Sequence, residues 1–319
     1  MRKYLLSTSA LAGAALLSSA ALADLSITGT VEFEYSDYDS NVAVNDTKGM
    51  ASANEVLIDF TNKTDSGLTI SYNMDIDGDA GGGIDDNSLT VSGGFGKLVM
   101  GQTDGASDAY SVNAQGLVAE ESDGTATGGT VLKDSSGGGN TGNGDRVSFH
   151  LPAMGGLTAG VSYKEADTAS VTEYGFKYTM ATAGSTITIG HSASTAEVAN
   201  AQDSDRSNTG VSVAMGALTV TVSNGTHEAA GEDNNGNGVG AKYTLGSGLT
   251  LAAATFKSED DIDTGEEYSV NHYEAIYPIA SGLSAVITVS DFDYEGGTSG
   301  NGGDDENGTI TTLNIKASF

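Results

Sequence analysis

The chain has 319 residues and carries 13 Lys and Arg against 43 Asp and Glu, a net charge of −30, with 45 Gly, 2 Pro, no Cys and no Trp. Zero cysteine excludes disulfide scaffolds, zinc ribbons and thiol catalysis, and so negative a chain is excluded from binding nucleic acid through its phosphates. A hydrophobic share of 38% spread along the whole length argues against an acidic disordered polymer, so apolar surface must be buried or turned to lipid.

Residues 1–23 read as a secretory signal peptide. Arg2 and Lys3 make a positive start, residues 5–17 a short apolar run, and Ala21-Leu22-Ala23 a small-residue cleavage site. The apolar run is shorter than the roughly 20 residues a spanning helix needs. The mature chain, a single domain over residues 24–319, is expected to begin at Asp24; it loses two cations and no acid, so the charge moves from −30 to −32. No later stretch is apolar enough to span as a helix, so an exported chain of this kind enters a membrane only as a closed barrel.

From there on the pattern has period two. Leu25, Ile27, Val31 and Phe33 alternate with polar residues, and a noisier run follows from Val56 to Phe60. Leu68, Ile70, Tyr72, Met74 and Ile76 alternate with Thr69, Ser71, Asn73 and Asp75, a repeat with no helical reading. Short runs at 89–91 and 98–100 precede Val147, Phe149, Leu151; Leu157, Ala159, Val161, Tyr163; Tyr174, Phe176, Tyr178, Met180; and a run at 187–189. Then come Val211, Val213, Met215; Leu218, Val220, Val222; Val239, Ala241, Tyr243, Leu245; a run at 249–253; Tyr273, Ala275, Tyr277; Leu283, Ala285, Ile287, Val289; and Leu313, Ile315, Ala317, Phe319. The total is sixteen candidate strands.

The connections are of two kinds. Tight turns are expected at 62–67, 94–96, 152–156, 181–184, 216, 246–248 and 278–282. Between them long, acidic, Gly/Asn/Asp-rich loops are expected, such as 77–87, 104–145, 193–207, 225–238, 258–265 and 295–307. Seven tight turns alternating with eight long loops is what an antiparallel up-and-down sheet of sixteen strands requires, with successive turns about one hairpin apart. Alternation alone also fits a soluble sandwich. The uncharged apolar positions, the long loops confined to one end and the terminal Phe319 favour a transmembrane barrel, because a cation facing mid-bilayer costs about 2–4 kcal/mol.

Phase then assigns the lumen. A charged residue midway between two apolar positions of one strand points to the opposite face, which places Lys97, Arg146, Lys177, Lys242 and Lys316 inside, together with Glu32, Glu34, Asp59, Asp75 and Glu274. A sixteen-stranded barrel is wide enough to hold an aqueous channel.

At this point the chain resembles the general diffusion porins of Gram-negative outer membranes, of the trimeric alphaproteobacterial type. The resemblance is carried by Thr64-Asp65-Ser66-Gly67-Leu68, by Ser92-Gly93-Gly94-Phe95-Gly96-Lys97-Leu98-Val99-Met100-Gly101 running on to Gly105-Ala106-Ser107-Asp108-Ala109, by Asp145-Arg146-Val147 and by Phe319. It implies that residues 101–145 fold back into the barrel as a constriction loop. Its length alone points the same way, since long connections in compact domains are usually functional. Asp104, Asp108, Glu120, Glu121 and Asp123 would then line the narrowest point, facing the five inward cations across a transverse field that filters ions. The resemblance further implies a homotrimer, for which small outward residues such as Ala159, Ala253 and Ala285 would suit contact between barrels. It also implies a C-terminal Phe319 read by the outer-membrane assembly machinery, and neighbours of outer-membrane lipid and lipopolysaccharide.

Passive, cation-preferring diffusion of small hydrophilic solutes needs no cofactor. Ca²⁺ is a candidate ligand at Asp75, Asp77, Asp79 and Asp86, which stand at positions 1, 3, 5 and 12 of an EF-hand-like register, although Ala80 replaces the glycine that register requires. The oxygen-rich segment Glu232-Asp233-Asn234-Asn235 is similar. His150, His191, His227 and His272 have no metal-ligand spacing. An outer-membrane esterase or phospholipase would need a nucleophile and base, and Ser148 with His150 is the only local pairing. A secreted, β-rich surface protein with a soluble core is the third possibility. Tyr163, Tyr178, Tyr243 and Tyr277 at ends of apolar runs suit an interfacial girdle.

Overall fold

The computed structural model describes residues 24–42, 45–78, 83–119, 132–133, 144–166, 169–199, 202–263, 265–296 and 305–319. Sixteen strands pair only with their sequence neighbours, and the last with the first, in a closed antiparallel barrel. They are β1 (Asp24–Ser40), β2 (Thr47–Lys63), β3 (Thr69–Asp77), β4 (Gly83–Gly93), β5 (Gly96–Thr103), β6 (Gly144–His150), β7 (Leu157–Ala166) and β8 (Ala169–Thr182). The circuit continues with β9 (Ser185–Val198), β10 (Ser204–Met215), β11 (Leu218–Ala229), β12 (Glu232–Thr244), β13 (Thr250–Asp260), β14 (Glu267–Ala280), β15 (Leu283–Glu295) and β16 (Glu306–Ser318). Between β5 and β6 lie a short helix, α1 (Ala106–Tyr110), and a 3₁₀ turn at Gln115–Leu117.

Every strand expected from alternation is present, and the alternating apolar residues face outward. Ile27 and Phe33 are each 61% exposed, and Val161, Tyr174, Val239, Leu251, Tyr273, Ile287 and Leu313 are exposed on the same outer surface. A soluble protein could not sustain such a belt; a bilayer makes it the favoured environment. Tyr178, Tyr243 and Tyr277 stand outward close to the tight turns, as a girdle requires. Closure is completed at the C-terminus: Thr30↔Ser318 through Ser40↔Gly308 pair β1 with β16, the Phe319 N–H donates to Gly29 O at 2.9 Å, and Gly29 N–H donates to Phe319 O at 3.3 Å. The Phe319 side chain is left 80% exposed on the outside.

The tight turns fall as expected. Gly216, at φ 59°, sits in the left-handed region that only glycine enters freely, and so turns β10 into β11 in two residues. The long loops are shorter than composition suggested. Residues 225–238 form no loop, because β11 and β12 pair from Leu218↔Tyr243 up to Ala229↔Glu232 and Gly231, at φ 83°, closes the hairpin. In the same way β9 and β10 consume most of 193–207, β3 and β4 most of 77–87, and β13 the start of 258–265. Above the bilayer both faces of a strand meet water, so a polar, Gly/Asn-rich sequence can remain in register without any apolar alternation to announce it.

Candidate functional site: the lumen and its folded-in loop

The segment after β5 turns into the barrel and lies along its inner wall. From there on, its backbone donates to a succession of wall side chains: Ala106 N–H to Ser162 Oγ of β7 at 2.9 Å, Val112 N–H to Asn208 Oδ1 of β10 at 3.0 Å, Ala114 N–H to Ser223 Oγ of β11 at 2.9 Å, and Ala119 N–H to Glu274 Oε2 of β14 at 2.9 Å. Tyr110 Oη shares a 2.8 Å hydrogen bond with His150 Nδ1 of β6. Farther along, Ser258 Oγ of β13 donates to Leu132 O, and Leu132 packs among the inward aromatic side chains Phe256, Tyr268, Phe292 and Tyr294. These four backbone amides, having left water, thus find fixed acceptors on the wall, as buried amides must.

A row of glycines makes this contact possible. Gly160, Gly175, Gly190, Gly210 and Gly240 occupy inward positions on β7, β8, β9, β10 and β12, where a Cβ would run into Tyr110, Val112 or the carbonyl of Ala114. At Gly175 that atom would lie 2.6 Å from the Tyr110 Cβ. Sequence reasoning missed this seat. The available signal was glycine at lumen-facing positions of strands that otherwise alternate Ser or Thr with apolar residues.

The loop divides the lumen. Inward side chains on β7–β15, among them Ser162, Glu173, Asn208, His272, Glu274, Val286 and Ser290, are buried beneath it. On β2, β3 and β4 none of the described residues is buried. The open, water-facing half of the lumen is therefore the β1–β4 wall; its inward carboxylates include Glu32, Glu34, Glu55, Asp59, Asp75 and Asp77, and Lys63 shares their phase at the tight-turn end of β2. Glu55 and Asp77 sit directly across from one another in the β2–β3 register. Asp59 accepts Asn73 Nδ2 at 3.1 Å, and Glu32 pairs with Lys316 at 3.2 Å.

This arrangement corrects the expected field. The cations were expected opposite the acidic loop; instead Lys97, Arg146, Lys177 and Lys242 lie on β5, β6, β8 and β12, the side on which the loop originates and seats, and of the five Lys316 alone stands on the far wall. Lys164 and Arg206, which phase analysis passed over, are also inward and belong to the same side. Arg146 does not line water: its guanidinium is 2.8 Å from Glu173 and both side chains are 1% exposed. Glu274 likewise is buried and holds the loop, accepting Thr288 Oγ1 as well as the Ala119 amide. An acidic loop seats where cations and acceptors for its backbone amides await it, so the uncovered wall keeps the carboxylates.

Of the five loop carboxylates expected at the constriction, Asp104 and Asp108 are exposed toward the lumen, whereas Glu120, Glu121 and Asp123 lie outside the described residues. Although Asp108 reaches the lumen, its carboxyl is crowded by the loop and wall, and this partial loss of water pushes it above the ordinary carboxylate range; the neighbouring Asp104 charge adds to the shift and Lys177 opposes it. For the remaining candidates, Asp75 and Asp77 end β3 and Asp86 lies in β4, with Asp79 outside the described residues. Among the described residues no three carboxylates or histidines form a group that could hold a metal. Ser148 Oγ makes no hydrogen bond among the described residues and His150 Nδ1 is taken by Tyr110, so the pair does not form a nucleophile and base. Ala253 and Ala285 face outward two strands apart, while Ala159 is on β7, so the three do not make one patch.

A comparison of the sequence with curated proteins finds no match. Among solved structures the fold is similar to a loop L8 deletion mutant of OmpT, an outer membrane protein of Vibrio cholerae, with 13% identity, a TM-score of 0.70, and coverage of 93% of this chain and 99% of that one. It is equally similar to an anion-selective porin from Comamonas acidovorans, with 13% identity, a TM-score of 0.70, and coverage of 93% and 100%. A trimer form of the Vibrio cholerae OmpT gives 13% identity, a TM-score of 0.67, and coverage of 93% and 99%. Residues 7–297 match the family model described as Gram-negative porin. With a closed sixteen-stranded barrel, an apolar exterior and a loop folded into the lumen, the chain belongs to the Gram-negative porin family.

Proposed function

We propose that this porin is a passive diffusion channel for small hydrophilic solutes with a preference for cations. The carrying observation is the uncovered β1–β3 wall, where the six carboxylates of Glu32, Glu34, Glu55, Asp59, Asp75 and Asp77 outnumber two cations, Lys316 and, at the tight-turn end of β2, Lys63, facing a loop that presents Asp104 and Asp108. Negative charge on both sides of a water-filled passage raises the local concentration of cations and lowers that of anions. The Comamonas protein is named anion-selective; on the present chain the carboxylates support the opposite preference. The test is reconstitution of the refolded chain from Asp24 onward in planar bilayers under a KCl gradient. Stepwise conductance with a cation-directed reversal potential is expected, and an anion-directed potential refutes the preference.

The attendant readings are proposals of the same kind. Residues 1–23 are removed on export, and the barrel works in the outer membrane as a homotrimer without cofactor or enzymatic activity. The likeness to a porin solved in trimer form supports the trimer. The exposed Phe319 side chain suits recognition by the outer-membrane assembly machinery. Above the apolar belt Glu259, Glu267 and Glu295 face one another across three adjacent strands on the outer surface, with Lys257 2.6 Å from Glu267. Like charges so placed repel. The three form no metal group by themselves, so Ca²⁺ or another divalent ion relieving that repulsion would take its other ligands from the phosphates of lipopolysaccharide, and chelation is expected to loosen the assembled protein.

A further inference from the structure

We propose that Glu173 is the positioning residue of the constriction: its buried carboxylate fixes the first turn of α1 on the wall and neutralises Arg146, so that Asp104 and Asp108 stay turned to the conduit. The proposal rests on the channel reading above. Glu173 Oε1 accepts Ser107 Oγ at 3.0 Å, while Oε2 accepts Arg146 Nη1 at 2.8 Å and Ser162 Oγ. Ser162 Oγ in turn accepts the Ala106 amide at 2.9 Å. One carboxylate therefore reaches both residues that open α1, directly or through a single hydroxyl, and ties together β6, β7 and β8.

Shape and direction are supplied by different residues. The glycine seat sets how closely the loop approaches the wall, but steric contact leaves α1 free to roll. The directional bonds at Ala106 and Ser107 fix its rotation, and with it the face that carries Asp108 and the lead-in that carries Asp104. Gly105, just before α1, has ordinary extended backbone at φ −87°, yet a Cβ there would run into the Glu173 carboxylate and the Arg146 guanidinium. The chain therefore enters the lumen pressed directly against this ion pair. Both side chains are 1% exposed, so each charge depends on the other in place of water. Asp108 lies within electrostatic reach of Arg146 and Glu173 alike.

The experiment compares the mature chain with Glu173→Gln, Glu173→Gln/Arg146→Gln and Gly105→Ala in planar bilayers, reading single-channel noise and the K⁺/Cl⁻ permeability ratio. Glu173→Gln is expected to flicker between substates and to lose roughly sevenfold in permeability ratio, since one uncompensated charge about 7 Å from a permeating ion in water-like surroundings is worth about two- to threefold on K⁺ and as much in the opposite sense on Cl⁻. The double variant is expected to recover the ratio while still flickering, which separates neutralisation from anchoring. Gly105→Ala keeps both charges and displaces α1, so it is expected to flicker even if Glu173→Gln fails to insert. A merely structural role would lower the heating temperature at which gel mobility changes and leave the inserted channels unaltered. Glu173→Gln or Gly105→Ala channels that conduct quietly at the parent ratio would overturn the proposal. A parent chain that forms no channel would instead overturn the porin reading.

Discussion

Substituting Gly175 by Ala tests whether the glycine row is a seat for the loop. The residue is in a regular stretch of β8, paired with Gly160 and Ser192, so its backbone accepts a side chain without strain. The difficulty is space. The new methyl would lie 2.6 Å from the Tyr110 Cβ and 3.1 Å from both His191 O and Ser192 Cβ, where ordinary contact begins at 3.4 Å. The wall atoms are held by the sheet, so α1 must retreat by close to an ångström. Tyr110 cannot do so and keep its 2.8 Å bond to His150. Overpacking of this size costs about 1–3 kcal/mol, and the lost hydrogen bond adds about 1 kcal/mol. Even about 2 kcal/mol shifts the balance between seated and displaced loop by roughly thirtyfold. The barrel itself loses nothing, so the heating temperature at which gel mobility changes should stay put while single-channel conductance falls, because α1 can move only into the lumen. Gly116 supplies the control: it is in the same loop with open space around the Cβ position, and Gly116→Ala should conduct like the parent. Parent-like conductance from Gly175→Ala would refute the seat.

Neutralising the open wall with Glu32→Gln and Asp59→Asn should lower the K⁺/Cl⁻ permeability ratio, and Lys316→Gln alone should raise it. Both changes should shrink between 0.1 M and 1 M salt, as the Debye length falls from about 10 Å to about 3 Å. Asp108 has a folded-state pKa raised by burial, so its ionised form costs stability at neutral pH and that cost disappears as pH falls through the raised value. Cation preference measured by reversal potential should therefore take a first downward step above the ordinary carboxylate range, and Asp108→Asn should abolish that step. Phe319→Ser leaves the backbone bonds to Gly29 in place, so refolding in detergent should be unchanged while the amount of folded barrel reaching the outer membrane drops.

Much of this molecule was legible in its alternation, because a lipid-facing strand cannot hide its period: Leu68 to Ile76 or Tyr174 to Met180 admits only one side for its apolar residues. Where water touches both faces the signal vanishes. The upper halves of β11 and β12, rich in Asn and Gly, therefore read as loop although Thr226↔Asn235 and His227↔Asn234 pair in unbroken register. Phase also assigned each inward charge to the correct face, Lys97 and Glu274 included. It could not assign inward charges to opposite sides of the lumen, because that depends on where the loop lies down. Glu274 and Arg146 were therefore read as water-lining when they are anchors.

The placement of the loop follows from two requirements that act together. A chain segment with two dozen or more polar backbone groups can enter a barrel only where side-chain acceptors meet its amides, which Ser162, Asn208, Ser223 and Glu274 do. An acidic segment can settle only where the wall supplies cations, and Arg146, Lys164, Lys177, Arg206 and Lys242 all lie between β6 and β12. Those two conditions coincide on one half of the circumference. The other half, relieved of any docking role, keeps its carboxylates exposed to water. Opposed signs across the passage would have required the loop to settle on the wall that repels it. The negative character of the conduit is thus a consequence of how the loop is held, and reversing it would take cations on β1–β3 rather than changes in the loop alone.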